Sequence, residues 1–172
     1  STVAKAVAKA LDLKHYSAGD LMRQIAESKG LTLMDLLKLA ERDSSIDKEV
    51  DERTKSLAQN DNFVIDSRLA FHFIPKAIKV FLTVDPKAAA HRVYLDLQNN
   101  KRATEKELKT EQQVLDGLIA RRKSESARYQ KYYTLDYLSP KNYDFVLDTT
   151  NLSIEQCVQR VLDFVKSAKI TR

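Results

Sequence analysis

The 172-residue sequence predicts an α/β fold in which a short parallel sheet is flanked by helices. Three observations predict it. The apolar runs Phe63-Val64-Ile65, Lys79–Val84 and Tyr143–Leu147 suit short strands buried on both faces. Stretches with helical periodicity and cap residues separate these runs. Polar residues lie at Ser17 to Asp20, Asp66 to Arg68 and Asp85, where a sheet of this type binds ligands beyond its strand ends.

Taken in order, residues 1–11 read as a helix, because Val3, Val7 and Leu11 recur every four residues. Lys14–Ser17 is a short extended piece. Asp20–Lys29 is a second helix closed by Gly30. Thr32 with Asp35 resembles a capping box and opens a third helix to about Arg42. A fourth, rich in charge, runs from about Ser45 to Gln59 and ends at Asn60-Asp61-Asn62. Asp85-Pro86 starts a helix to about Gln98, and Asn99–Ala103 is a polar, basic break. Thr104 with Glu107 makes another capping box, with a helix behind it reaching towards Tyr133. Ser153 with Gln156 caps the last helix, through about Lys166.

Composition is that of one globular domain over residues 1–172, with 43% hydrophobic and 31% charged residues. No apolar run approaches the ~18 residues of a membrane span, so no membrane partner is expected. The single cysteine, Cys157, excludes an intramolecular disulfide, fits a reducing cytoplasmic setting and reads as core packing. The formal net charge is +5, and the segment from Arg92 to Lys131, with ten basic and six acidic residues, carries most of it. Such a segment fits a nucleic acid or a cluster of phosphates, and composition does not choose between them. His15, His72 and His91 lack metal-site spacing and read as structural.

Four motifs carry the chemistry. Ser1-Thr2 ahead of an Ala-rich helix matches the residues immediately after the lysine of G-x-x-x-x-G-K-[ST], a pattern found nowhere in the chain. Tyr16-Ser17-Ala18-Gly19-Asp20-Leu21-Met22-Arg23 resembles the segment by which nucleoside monophosphate kinases grip their acceptor. Gly19 would let backbone approach a ligand, and the Arg23 fork suits a phosphate. Val64-Ile65-Asp66-Ser67-Arg68-Leu69-Ala70 ends a strand in a carboxylate followed by an arginine, in a form most similar to archaeal-type cytidylate kinases. That family commonly has glycine where Ser67 stands. Arg121, Glu125 and Arg128 form one stripe on the long helix, about 110° from a face marked by Leu115, Leu118, Ile119 and Tyr133. This arrangement resembles the helix after the lid in the same family.

The resemblance implies a three-layer P-loop kinase fold, with an acceptor-binding helical region at about 18–60 and a lid region at about 92–131. It implies phosphoryl transfer from ATP, with Mg²⁺, to CMP or dCMP. Ser17, Gly19, Asp20, Arg23, Asp66, Arg68 and Glu125 would serve the acceptor, with Asp66 accepting from the cytosine amino group. Arg92, Arg121 and Arg128 would act on the transferring phosphoryl, Lys101 and Arg102 on the lid. Ser1 and Thr2 would sit at the donor, Ser1 as a Mg²⁺ ligand. The expected sheet order is 2-3-1-4-5, with the first, central strand and the glycine-rich loop lying upstream of Ser1. The chain as given is then expected to bind ATP poorly and to fold poorly alone. A monomer without stable nucleic-acid binding is expected. The alternatives are another acceptor (AMP, UMP or a shikimate-like alcohol) and an inactive RNA- or partner-binding module.

Overall fold

The computed structural model describes residues 1–99 and 108–170. They form two compact units, Ser1–Leu82 with Pro140–Arg172, and Thr83–Ser139.

In the first unit, helix α1 (Thr2–Ala10) buries Val7 and Ala8. The extended piece after it is a strand, β1 (Lys14–Ser17), paired in parallel with β2 (Phe63–Asp66). Lys14 lies opposite Phe63 and Ser17 opposite Asp66. Side chains alternate along a strand, so His15 and Ser17 share one face with Val64 and Asp66. On the other face, Tyr16 and Phe63 meet edge to face. Helix α1 packs on β1, β2 and α8 (Ile154–Ile170).

Helices α2 (Ala18–Ser28), α3 (Leu33–Ala40) and α4 (Ser44–Leu57) follow. Their first turns are capped by Ser17, Thr32 and Asp43, each accepting a backbone N–H. Helix α2 thus begins two residues before the expected Asp20. Gly30, at φ 65°, turns the chain out of α2 in the left-handed conformation that glycine adopts readily. Met22, Ile25, Leu33, Leu36, Leu37 and Ile46 join these three helices in one core.

Asn62, at φ 60°, leads into β2. A short helix with no counterpart among the expected elements, α5 (Ala70–Phe73), comes after it. The Ser67 hydroxyl accepts from the Leu69 and Ala70 N–H groups at 3.2 Å and so closes this turn.

Strand β3 (Val80–Thr83) pairs with β4 (Phe145–Asp148). The Lys79 carbonyl accepts from Asp144 and Phe145, and the Asp144 carboxylate accepts from the Lys79 N–H. A 3₁₀ turn, Pro140–Asn142, precedes β4. Among the described residues the strands form two two-stranded sheets, β1-β2 and β3-β4. The expected order 2-3-1-4-5 contains the same pairs, 2-3 and 4-5, on either side of its strand 1. Both pairs feed one apolar core, in which Val64, Val80, Phe145 and Leu147 pack with Val7, Cys157 and Val161. Ser153 and Gln156 form the expected capping box, and α8 runs past Lys166 to Ile170.

In the second unit, Asp85 caps α6 (Pro86–Gln98) by accepting from Lys87 and Ala88. Helix α7 (Glu111–Tyr133) opens with a capping box of Thr110 and Gln113. The expected box at Thr104 and Glu107, and Lys101 and Arg102, lie outside the described residues. Residues 108–110 are not helical, so the long helix starts at Glu111 and not in the expected box. Helices α6 and α7 pack together, with Ala90 and Val114 buried. Tyr129, Tyr133 and Tyr137 form a cluster of ring contacts at the end of α7. No described helix is long and apolar enough to cross a membrane.

Candidate active site

The first unit gathers polar side chains around one carboxylate. Asp66 ends β2, at the carboxyl end where strand ligands are found. Its Oδ2 accepts from Ser1 Oγ at 2.6 Å and from Ser17 Oγ at 3.1 Å. Its Oδ1 meets His15 Nε2 at 2.5 Å. The register explains this convergence. Ser17 is the cross-strand partner of Asp66, His15 is two residues back on the same face, and the N-terminus of α1 lies over that face. Burial alone would raise the Asp66 carboxyl. Hydrogen bonds from Ser1 and His15 work against it and hold the group below its ordinary value.

Ser1 is the N-cap of α1, yet its side chain makes no capping bond because its hydroxyl goes to Asp66. The N–H groups of the first turn, beginning with Thr2, therefore receive no bond from that cap. A helix N-terminus in this state suits an anion.

Ser17 is buried and serves two partners, accepting from the Asp20 N–H and donating to Asp66. Asp20 lies in the first turn of α2 and accepts from Arg23. The guanidinium of Arg23 thus rests on its own helix in this structure. A Cβ at Gly19 would sit 3.6 Å from Ser17 Oγ and 3.7 Å from Arg23, ordinary contact. Packing within the chain does not demand glycine there. Arg68 lies exposed just beyond Asp66 and Ser67.

The second unit holds the other charged group. Arg121 Nε donates to Glu125 Oε1 at 2.9 Å, and Arg128 donates to Ser124 Oγ at 2.9 Å. Glu125 is 3% exposed and Arg128 5%. The stripe does not border the core, as its angle to Leu115, Leu118, Ile119 and Tyr133 suggested. It is the buried face itself, shared with Val114 and Tyr129. Ile119 is exposed, and so is Arg122. The Arg128 guanidinium lies 5.8 Å from the centre of the Tyr129 ring. Arg92 is exposed on α6.

Sequence reasoning missed His15, which it took as structural. Its partner is 51 residues away, and only the strand register joins them. His91 meets Glu111 on the surface and His72 packs against Phe73. Among the described residues no group of three His, Cys, Asp or Glu could hold a metal ion.

The fold is that of the P-loop kinases. A shikimate kinase structure from Bacteroides thetaiotaomicron aligns over 96% of this chain and 91% of its own, with a TM-score of 0.61 at 17% identity. The AAA domain family matches residues 1–116. The cytidylate kinase of Archaeoglobus fulgidus is 32% identical over 99% of this chain and 90% of its own length. That of Halobacterium salinarum is 33% identical over 100% and 86%. The chain belongs to the cytidylate kinase family of nucleoside monophosphate kinases.

Proposed function

We propose that the protein transfers the terminal phosphoryl group of ATP to CMP or dCMP, giving the diphosphate. The observation that carries this reading is the Ser1–Asp66 contact of 2.6 Å at the N-terminus of α1. In P-loop enzymes a loop hydroxyl and a strand-end aspartate hold Mg²⁺ between them. Two hard oxygen donors at one point, with the carboxyl kept ionised, fit that ion. Ser1 and Asp66 would hold Mg²⁺, which would offset the charge of the donor phosphates.

This reading moves Asp66 from the cytosine base to the donor side. Its Oδ2 accepts from Ser1 at the N-terminus of α1, which supports a place beside the donor phosphates. Thr2 and the first turn of α1 would bind donor phosphate through backbone N–H groups. Arg23 would leave Asp20 for the acceptor phosphate, with Ser17 and Gly19 shaping the approach and Arg68 beside them. Arg92, Arg121 and Arg128 would offset charge on the moving phosphoryl, with Glu125 orienting Arg121. Charged groups such as Glu125 and Arg128 are costly to bury, which supports a role beyond packing.

The test is a steady-state assay of the full-length protein with ATP and Mg²⁺ against CMP, dCMP, UMP, AMP and shikimate. CMP and dCMP are expected to lead in kcat/KM by at least about tenfold. A lead for another acceptor would keep the kinase and replace the substrate. Salt-dependent RNA binding with no transfer to any acceptor would instead make the chain a binding module.

A further inference from the structure

Asp66 receives a contact that the proposed chemistry does not itself require. Two donors on different oxygens fix the plane of a carboxylate, whereas donors on one oxygen leave it free to tilt. Ser1 and Ser17 both use Oδ2, and among the described residues His15 alone holds Oδ1. A carboxylate only accepts, so the His15 Nε2 carries the proton of this bond. His15 is well placed to be rigid. It lies on β1, with its side chain 15% exposed, on the face that carries Ser17.

We infer that His15 is a positioning residue. Its Nε2–H locks the orientation of Asp66, so that Oδ2 stays on Ser1 and remains aimed at the metal that the two residues would share. The inference rests on the proposed place of Asp66 beside Mg²⁺. Ser17 helps, but it also caps α2, so its substitution would disturb the acceptor helix as well. His15 makes no capping bond, which makes it the cleaner probe.

The experiment compares His15→Leu and His15→Gln with the wild-type full-length protein. Mn²⁺ is titrated in the presence of ADP and followed by the loss of its free EPR signal. Mg²⁺ dependence and the KM for CMP are measured alongside. Groups that orient a metal ligand are typically worth 10–100-fold in affinity. His15→Leu is expected to weaken Mn²⁺ binding by about that factor and to raise the Mg²⁺ needed for half-maximal rate in proportion. The KM for CMP should stay near wild type. His15→Gln, which restores an N–H donor, should recover most of the loss. Unchanged Mn²⁺ binding in His15→Leu would overturn the inference, and so would a glutamine variant as weak as the leucine one. Should His15→Leu fail to fold, the ¹⁵N spectrum of wild-type histidine decides, since an unprotonated Nε2 on His15 contradicts the bond. Wild-type protein that transfers nothing to any nucleotide would count against the kinase reading, while the ¹⁵N spectrum would still test the contact.

Discussion

At the scale of single residues, the chemistry turns on ionised groups removed from water. Arg128 is buried, and its charge is directed by Ser124 and by the face of Tyr129. If it stabilises the moving phosphoryl, Arg128→Ala should cost about 2–4 kcal/mol of transition-state energy, read mainly in kcat. An unchanged kcat in steady state would remove Arg128 from the mechanism. Asp66 carries a second expectation. Its carboxyl lies below its ordinary value in the fold, against burial, because Ser1 and His15 donate to it. A depressed carboxyl adds stability above the unfolded value of about 4, and that stability is lost as pH falls through the lower folded value. Denaturant midpoints should therefore fall less steeply in acid for Asp66→Asn than for wild type. Parallel curves would contradict the hydrogen-bonded, ionised state. The place of Asp66 at a strand end was legible because it follows the apolar run Phe63-Val64-Ile65. His15 was not, because nothing in its neighbours announces a partner on another strand.

At the scale of elements, the caps were the most legible signal and the long helix the least. Thr32, Asp85 and Ser153 each take the bonds their sequence context suggests. Gly30 at φ 65° ends α2 with nothing near enough to obstruct a Cβ. Gly30→Ala should therefore cost about 1–2 kcal/mol through backbone conformation alone, measured as a lowered denaturant midpoint. No loss would mean that the turn relaxes out of the left-handed region. Helix α7 was misread because apolar residues were taken to mark its inner face. Val114, Glu125, Arg128 and Tyr129 share that face, so the helix is rotated by about a quarter turn from the reading based on Leu115, Ile119 and Tyr133. A face that is apolar at one end and charged at the other gives no clean period. Periodicity fails there for the same reason that the face is of functional interest.

At the scale of the whole chain, the parallel α/β character followed from three apolar runs, and β1 was the strand that composition hid. Lys14, His15 and Ser17 supply three polar residues in a four-residue strand, two of them turned towards Asp66. The strands form two pairs around one core, the 2-3 and 4-5 pairs of the expected order. The central claim is that this fold moves a phosphoryl group between nucleotides and does not merely bind them. Phosphorus-31 NMR of the full-length protein with ATP, Mg²⁺ and CMP tests it most directly. Equal growth of ADP and CDP, without free phosphate, is the expected result. ADP and free phosphate without CDP, or an unchanged spectrum, would contradict it.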